Sequence, residues 1–284
     1  MEQLAPGVYV ESGFTGVTVG AILGPEGILC IDTPTLAVDA RKWRHRLSQL
    51  SNEPIRMIVN LDHHLDRVLG NQWLDAPVVT SEAAAERIRA YPESFKGHSP
   101  SSGADSELAP AGGLYGARII SPQFTFSDRM TIHHGRREIH LLRSPGPNSG
   151  AAWVHLPADR IVFAGDTVVV DVPPILAEAE TDDWLASLEA LKKAPFRNHT
   201  LVPGRGRVTD AGELHWLVKY LKQARRKVAR LHERQQDQSA LARLIPEFLE
   251  YWEVPRASQP HMSLRLQAGL ERLWEEAAGG RRDG

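Results

Sequence analysis

The segment over residues 60–71, Asn-Leu-Asp-His-His-Leu-Asp-Arg-Val-Leu-Gly-Asn, constrains the fold of this chain more than any other stretch. It directly follows Ile55–Val59, a short apolar run that predicts a buried strand. Acidic, imidazole and guanidinium side chains gathered just after a strand are typical of α/β folds, which place functional residues at the carboxyl ends of strands. The segment therefore predicts a layered α/β fold and the position of a functional site.

The flanking residues alternate between strand and helix patterns. Helical periodicity covers residues 36–50 and 82–90, and Ser81 is the expected N-cap of the second helix. Predicted strands fall at residues 8–10, 17–23, 27–32, 77–80, 124–126, 130–133, 138–142, 151–156, 161–164 and 200–202. Alternating elements of this kind favour an α/β sandwich.

The C-terminal third is predicted to be helical. Thr181 is expected to cap a helix over residues 182–193, and helices are expected from residue 210 onward, with Pro246 interrupting the one over residues 239–252. We expect three parts: a main domain over residues 1–210, a helical extension over residues 211–278, and a disordered tail over residues 279–284. We expect Trp252 and Trp274 either to pack back onto the chain or to pair with another copy in a homodimer through the C-terminal helices.

A long loop is predicted over residues 92–122, which are rich in proline, glycine and serine. A structureless run of this length is unusual inside a compact domain, and it is typical of a lid or a disordered insertion. His98 lies in this loop.

Composition argues against several functional classes. A formal charge of −2 and a pI of about 6.6 provide no general field for nucleic acid or for anionic membranes. Cys30 is the single cysteine, so neither a disulfide framework nor a cysteine-rich zinc site is expected. The chain shows no signal-peptide pattern and no apolar run of about 18 residues. We therefore expect a cytoplasmic protein that does not enter the membrane.

Residues that indicate a functional site lie at four predicted strand ends. These are residues 62–67, residues 144–150, Gly165-Asp166, and Pro203-Gly204-Arg205-Gly206. Their order and spacing resemble the metallo-β-lactamase superfamily, whose motifs are Thr-His-x-His-x-Asp-His, a lone histidine after Gly-Pro, Gly-Asp, and Pro-Gly-His-Gly. The resemblance implies a four-layer αββα sandwich with a dinuclear metal site at one edge of two sheets. It also implies hydrolysis by a metal-activated water.

Several of the family's metal ligands are replaced in this chain. Asp62 stands where the first histidine belongs, and Arg67 and Arg205 stand where two later histidines belong. Pro147 takes the lone-histidine position in a gapless alignment, whereas a one-residue slip places Asn148 there. From the family's ligand set there remain His64, Asp66 and Asp166.

These replacements predict a changed site. One ion could still bind Asp62, His64 and Asp166, a set that suits Mn²⁺, Fe²⁺ or Mg²⁺ better than tightly held Zn²⁺. The second family site would contain two arginines, which have no lone pair to donate. We expect Arg67 and Arg205 to replace the metal charge by pairing with buried carboxylates.

Two functions remain open from the sequence. In the first, the chain binds no cofactor and is a non-hydrolytic or much altered superfamily member whose pocket, with Arg67, Asn148 and Arg205, binds a small anionic ligand. In the second, it is a hydrolase of an ester, lactone or thioester. That enzyme would use either the single ion or His63, His64 and Asp66 without metal. A superfamily nuclease is disfavoured by the near-neutral charge.

Overall fold

The computed structural model describes residues 1–92, 117–252 and 256–279. Most of the predicted loop, residues 93–116 with His98, lies outside the described residues, as does the tail from residue 280. Within the described ranges, two β-sheets pack face to face and helices cover both outer faces. The predicted four-layer sandwich is confirmed.

The first sheet has seven strands in the described part of the chain, and they lie in sequence order. They are β1 (Glu2–Ala5), β2 (Val8–Phe14), β3 (Val17–Gly24), β4 (Gly27–Ile31), β5 (Ile55–Val59), β6 (Val78–Ser81) and β7 (Phe124–Phe126). The first four strands pair antiparallel, and β4 to β7 pair parallel. Parallel pairing places the carboxyl ends of β4 and β5 at one edge, where the loop after β5 begins.

The second sheet has six described strands in the order β13-β12-β11-β10-β9-β8. They are β8 (Arg129–His134), β9 (Arg137–Arg143), β10 (Ala152–Leu156), β11 (Ile161–Val169), β12 (Thr200–Arg205) and β13 (Thr209–Asp210). Only β11 and β12 pair parallel, with Val169 opposite Arg205. The carboxyl ends of these two strands therefore meet at the same edge of the sandwich.

The helices connect and cover the sheets. They are α1 (Ala37–Leu50), α2 (Leu65–Val68), α3 (Glu82–Ala90), α4 (Thr181–Leu191), α5 (His215–Glu233), α6 (Ile245–Leu249) and α7 (Gln259–Ala277). Several boundaries differ from the predictions. The strand predicted to end before Gly165-Asp166 continues as β11 to Val169, and two helix starts also differ. Thr181 is the first residue of α4 rather than its cap, and Pro246 lies in the first turn of α6 after a 3₁₀ helix over Gln238–Leu244. Proline is tolerated in a first turn because its missing N–H would have no intrahelical partner there.

The core forms three main apolar layers. Residues such as Ile22, Val59 and Phe163 fill the space between the sheets, and Trp43 and Leu47 of α1 cover the outer face of the first sheet. Side chains of α4, α5 and α7 pack with the outer face of the second sheet in one continuous cluster. The C-terminal helices thus share a core with the sandwich. In the described residues, no helix combines the length and apolar character needed to cross a bilayer.

Candidate functional site

The loop after β5 carries several predicted site residues and is held by buried backbone hydrogen bonds. Asp62 Oδ1 accepts from the backbone N–H of His64 at 3.0 Å, which turns the chain into the short helix α2. The carbonyl oxygen of Arg67 accepts from Thr33 Oγ1 at 2.6 Å and from Asn60 Nδ2 at 3.1 Å. These hydrogen bonds fix the backbone at both ends of the loop, and therefore the positions from which its side chains extend.

Arg67 lies at the centre of the site and its side chain is 0% exposed. Its three guanidinium nitrogens face three different aspartates. Nη1 is 2.6 Å from Asp32 Oδ2, Nε is 3.2 Å from Asp62 Oδ2, and Nη2 contacts Asp166 Oδ1. A buried charge is stable only when it is paired, and here the pairing is threefold. Arg67 thus occupies the space between the carboxylates.

Arg205 joins the site from the end of β12 and is 4% exposed. Its Nη2 lies 2.6 Å from Asp66 Oδ2, and its Nε lies 3.3 Å from Asp166 Oδ1. Nη1 donates to the carbonyl oxygen of Gly16. The structure therefore has the ion pairs expected between both arginines and the buried carboxylates. We call this group the Asp–Arg cluster; its members are Asp32, Asp62, Asp66, Arg67, Asp166 and Arg205.

Gly204 allows these groups to come together. A Cβ atom at this position would overlap Nη2 of Arg67, Oδ1 of Asp166 and the backbone of Gly165. The absence of a side chain at Gly204 is thus a packing requirement of the Asp–Arg cluster.

The two adjacent histidines have separate partners. His64 Nδ1 lies 3.3 Å from Asp62 Oδ2 and 3.5 Å from Asp166 Oδ2, so this ring belongs to the edge of the Asp–Arg cluster. His63 Nε2 instead lies 3.0 Å from Glu178 Oε2. The ring centroids are 5.0 Å apart, and the histidines do not share one carboxylate partner among the described contacts.

Asn148, one of the two residues predicted at the lone-histidine position, contacts Asp62. Its Nδ2 lies 3.5 Å from Asp62 Oδ2, and its Oδ1 accepts from the backbone N–H of Gly150 at 3.0 Å. The Asn148 amide thus presents a donor to the Asp62 carboxylate.

The arginines keep two of the aspartates ionised. Burial favours the neutral form of Asp62, but Arg67 and His64 outweigh it and hold the pKa of Asp62 below its usual range. Burial likewise opposes ionisation of Asp166, but Arg205 and Arg67 hold its pKa well below the usual value. Both carboxylates are therefore negatively charged at neutral pH.

The pKa values of Asp32 and His64 are raised rather than lowered. Burial raises the pKa of Asp32 to about 7, although Arg67 opposes this shift. Burial disfavours the charged form of His64, but Asp62 and Asp166 outweigh it and hold the pKa of His64 well above its usual value. When Asp32 is protonated, the remaining aspartates are matched by two guanidinium groups and one imidazolium. The site is then close to electrically neutral without a metal ion.

The donor set does not fit the dinuclear centre that the fold family implies. Asp62, His64 and Asp166 each offer a ligand atom, and these atoms lie within 4.8 Å of one another. The second metal position, however, is bordered by Arg67 and Arg205, which repel a dication and donate no lone pair.

The sequence matches a known family over most of its length. The family model of the metallo-beta-lactamase superfamily matches residues 13–205. The chain belongs to the metallo-beta-lactamase superfamily. This confirms the resemblance that the four strand-end motifs indicated. A search of curated protein sequences gives no significant match.

Solved structures show the same fold at low sequence identity. A metallo-beta-lactamase family protein from Thermus thermophilus has a TM-score of 0.68 and 17% identity, covering 99% of this chain and 97% of that protein. A metallo-beta-lactamase from Pontibacter korlensis has a TM-score of 0.58 and 19% identity, covering 78% of this chain and 97% of that protein. These likenesses establish the fold alone.

Two acidic residues were missed by the sequence-based site assignment. Asp32 follows β4 and pairs with Arg67, and its position at the carboxyl end of a strand is the signal that could have found it. Glu178 pairs with His63 from an irregular segment before α4. No local pattern marks Glu178, because its role depends on tertiary packing across the site.

Proposed function

We propose that this chain is a non-hydrolytic superfamily member in which the Asp–Arg cluster replaces the dinuclear metal centre. The observation that carries the proposal is Arg67, which is fully enclosed and pairs with Asp32, Asp62 and Asp166. The family's hydrolysis requires a water activated by metal. With guanidinium groups at the second metal position, the dinuclear centre that would activate this water does not form.

The protein then acts through binding, and Arg205 is the arginine we assign to a small anionic ligand. Arg67 is fully buried and pairs with three aspartates, whereas Arg205, which pairs with Asp66 and Asp166, also borders a cavity open to the protein surface. Asn148 is buried against Asp62, so we give it a supporting role in the site. Guanidinium groups bind carboxylates and phosphates through paired hydrogen bonds, which makes an anion the natural ligand class.

A second candidate function is a hydrolase with one metal ion on Asp62, His64 and Asp166. It is favoured by the close approach of their ligand atoms, within 4.8 Å, and by the buried His64 Nε2, which has no hydrogen-bond partner in the described residues. A metal-free variant would use His63 or His64 as the base, but His63 Nε2 already contacts Glu178 at 3.0 Å.

Metal analysis combined with an activity panel separates these candidates. The protein is purified without added metal, then incubated with Zn²⁺ or Mn²⁺, desalted, and analysed for metal content. We expect far less than one equivalent in each case, and no metal-dependent hydrolysis of an aryl ester, a lactone, a thioester or a β-lactam.

The variant Asp62→Asn is the matched control for the single-ion alternative. Near-stoichiometric metal in the wild type, with hydrolysis that Asp62→Asn abolishes, would overturn our proposal and establish the hydrolase. Metal retained equally by both proteins would show a site elsewhere in the chain.

A further inference from the structure

Three histidines form a group on the second sheet, at the end opposite the Asp–Arg cluster. His199 lies just before the amino end of β12, whose carboxyl end carries Arg205. His155 of β10 lies directly opposite His140 of β9 in the antiparallel pair, so these two rings share one face of the sheet. The ring centroid of His155 is 5.0 Å from that of His199 and 5.6 Å from that of His140. We call these three residues the histidine cluster.

The facing nitrogens of His155 and His199 have the spacing of two ligands of one metal ion. Nε2 of His155 lies 3.1 Å from Nε2 of His199. Two imidazole nitrogens bound at about 2.0–2.1 Å to a tetrahedral Zn²⁺ ion are about 3.3 Å apart. A metal ion could therefore bind both nitrogens with only a small movement of the two rings.

Both imidazoles are buried and uncharged at neutral pH. The exposed fraction is 6% for His155 and 7% for His199. Burial, and then the neighbouring His199 and His140, lower the pKa of His155 to about 4. Burial, and then Arg160, also lower the pKa of His199. Because a metal ion binds the unprotonated imidazole, protons do not compete with it at neutral pH.

The neighbours of this pair are aromatic on one side and polar on the other. Phe196 packs edge-on against His155, with ring centroids 5.0 Å apart, and against Trp153 at 5.5 Å. Apolar groups beside a metal site limit the access of solvent to it. On the other side, Nε2 of His140 lies 2.8 Å from Glu138 Oε1, and the His140 side chain is 18% exposed. The histidine cluster thus reaches the protein surface at His140.

We propose that the histidine cluster is a metal-binding site, in which Nε2 of His155 and Nε2 of His199 bind one divalent transition-metal ion and water completes its coordination. Imidazole ligands favour Cu²⁺, Ni²⁺ and Zn²⁺ over Mg²⁺ or Ca²⁺. The ion links β10 to the connection that leads into β12. Since the Asp–Arg cluster supplies none of these ligands, the proposal does not rest on the proposed function.

Calorimetric titration of the full-length chain with Cu²⁺ tests this assignment, because Cu²⁺ binds most tightly among the divalent first-row metals. We expect one saturable Cu²⁺ site per chain. His155→Gln and His199→Gln should each weaken it at least tenfold, since losing even an outer hydrogen-bond partner of a metal ligand costs about 10–100-fold in affinity. The two variants change different elements, so one stays informative if the other fails to fold. His261→Gln, the same change at an exposed position of α7, should bind Cu²⁺ like the wild type.

Electron paramagnetic resonance of the wild type with one equivalent of Cu²⁺ is the second measurement, and it should show coupling to imidazole nitrogens. Unchanged Cu²⁺ affinity in both His155→Gln and His199→Gln, or a spectrum without nitrogen coupling, would overturn the proposal.

Asp62→Asn separates this site from the metal position of the fold family. It should bind Cu²⁺ like the wild type, and loss of binding in this variant alone would place the ion at Asp62 and overturn the assignment to the histidine cluster. Two protein ligands hold an ion less firmly than the four of a structural zinc site, so the ion is measured at equilibrium rather than after desalting. The two metal experiments can therefore fail separately.

Discussion

Replacing Arg67 by methionine is the strongest test of the Asp–Arg cluster as a structural unit. Methionine keeps much of the apolar stem but removes the charge from a side chain that is 0% exposed. The change leaves three aspartates without their shared partner. Breaking a buried ion pair by removing one member costs about 3–5 kcal/mol of unfolding free energy.

The structure indicates which aspartates dominate that cost. The pKa of Asp32 is already raised to about 7 by burial, so this group becomes neutral at little cost. Asp62 retains His64 at 3.3 Å, and Asp166 retains Arg205 at 3.3 Å. Each of these two aspartates loses part of its compensation rather than all of it. We therefore expect a loss of about 3–5 kcal/mol rather than the sum of three separate penalties.

Urea unfolding followed by tryptophan fluorescence measures this loss. Arg67 opposes the burial that raises the pKa of Asp32 to about 7, so its loss raises this pKa further. The folded variant then keeps the Asp32 proton to higher pH than the wild type, and its stability falls more steeply as pH rises. The deficit relative to wild type should thus be larger at about pH 7.5 than at about pH 5.5.

Arg207→Met is the matched control. Its side chain is 55% exposed and pairs with Asp171 and Glu213, so its replacement should leave the urea midpoint close to that of the wild type. If Arg67→Met costs less than about 1 kcal/mol, the cluster does not stabilise the fold and our reasoning about buried charge fails.

Two other predictions concern packing and pH. Gly204→Ala places a methyl group against Arg67 and Asp166, so we expect a loss of about 1–3 kcal/mol in the same urea assay; wild-type stability would show that the close approach is not required. Burial is the main cause that lowers the pKa of His155 to about 4, and the neighbouring His199 adds to the shift. An unfolded histidine titrates near 6.5. The unfolded state therefore binds the proton first, and stability should fall as pH drops from about 6.5 toward 4. His155→Gln should flatten this part of the stability profile, and identical profiles for the two proteins would contradict the assignment.

The fold was accessible from the sequence because its signals are local. Alternation of strand and helix patterns and the segment after β5 each specify nearby backbone, and the family pattern supplied their arrangement. Boundary errors fell at the ends of elements, as with Thr181 and the end of β11, where a shift of a few residues changes little of the buried surface.

Only part of the candidate site could be predicted from the sequence. Replacement of histidines by Arg67 and Arg205 is visible in the sequence, and buried carboxylates require cations, so ion pairs could be expected. The choice between Pro147 and Asn148 could not be made, because an alignment slip of one residue carries no local energetic signature. In the structure, Asn148 Nδ2 lies 3.5 Å from Asp62 Oδ2.

By itself, the sequence determined that this chain forms a metallo-beta-lactamase sandwich, and it predicted an altered ligand set. Tertiary structure alone brought Asp32 to Arg67 and Glu178 to His63. The physical reason is that charge pairing acts over a few ångströms in space, regardless of separation along the chain. Sequence patterns report which charges are present, and packing decides which of them meet.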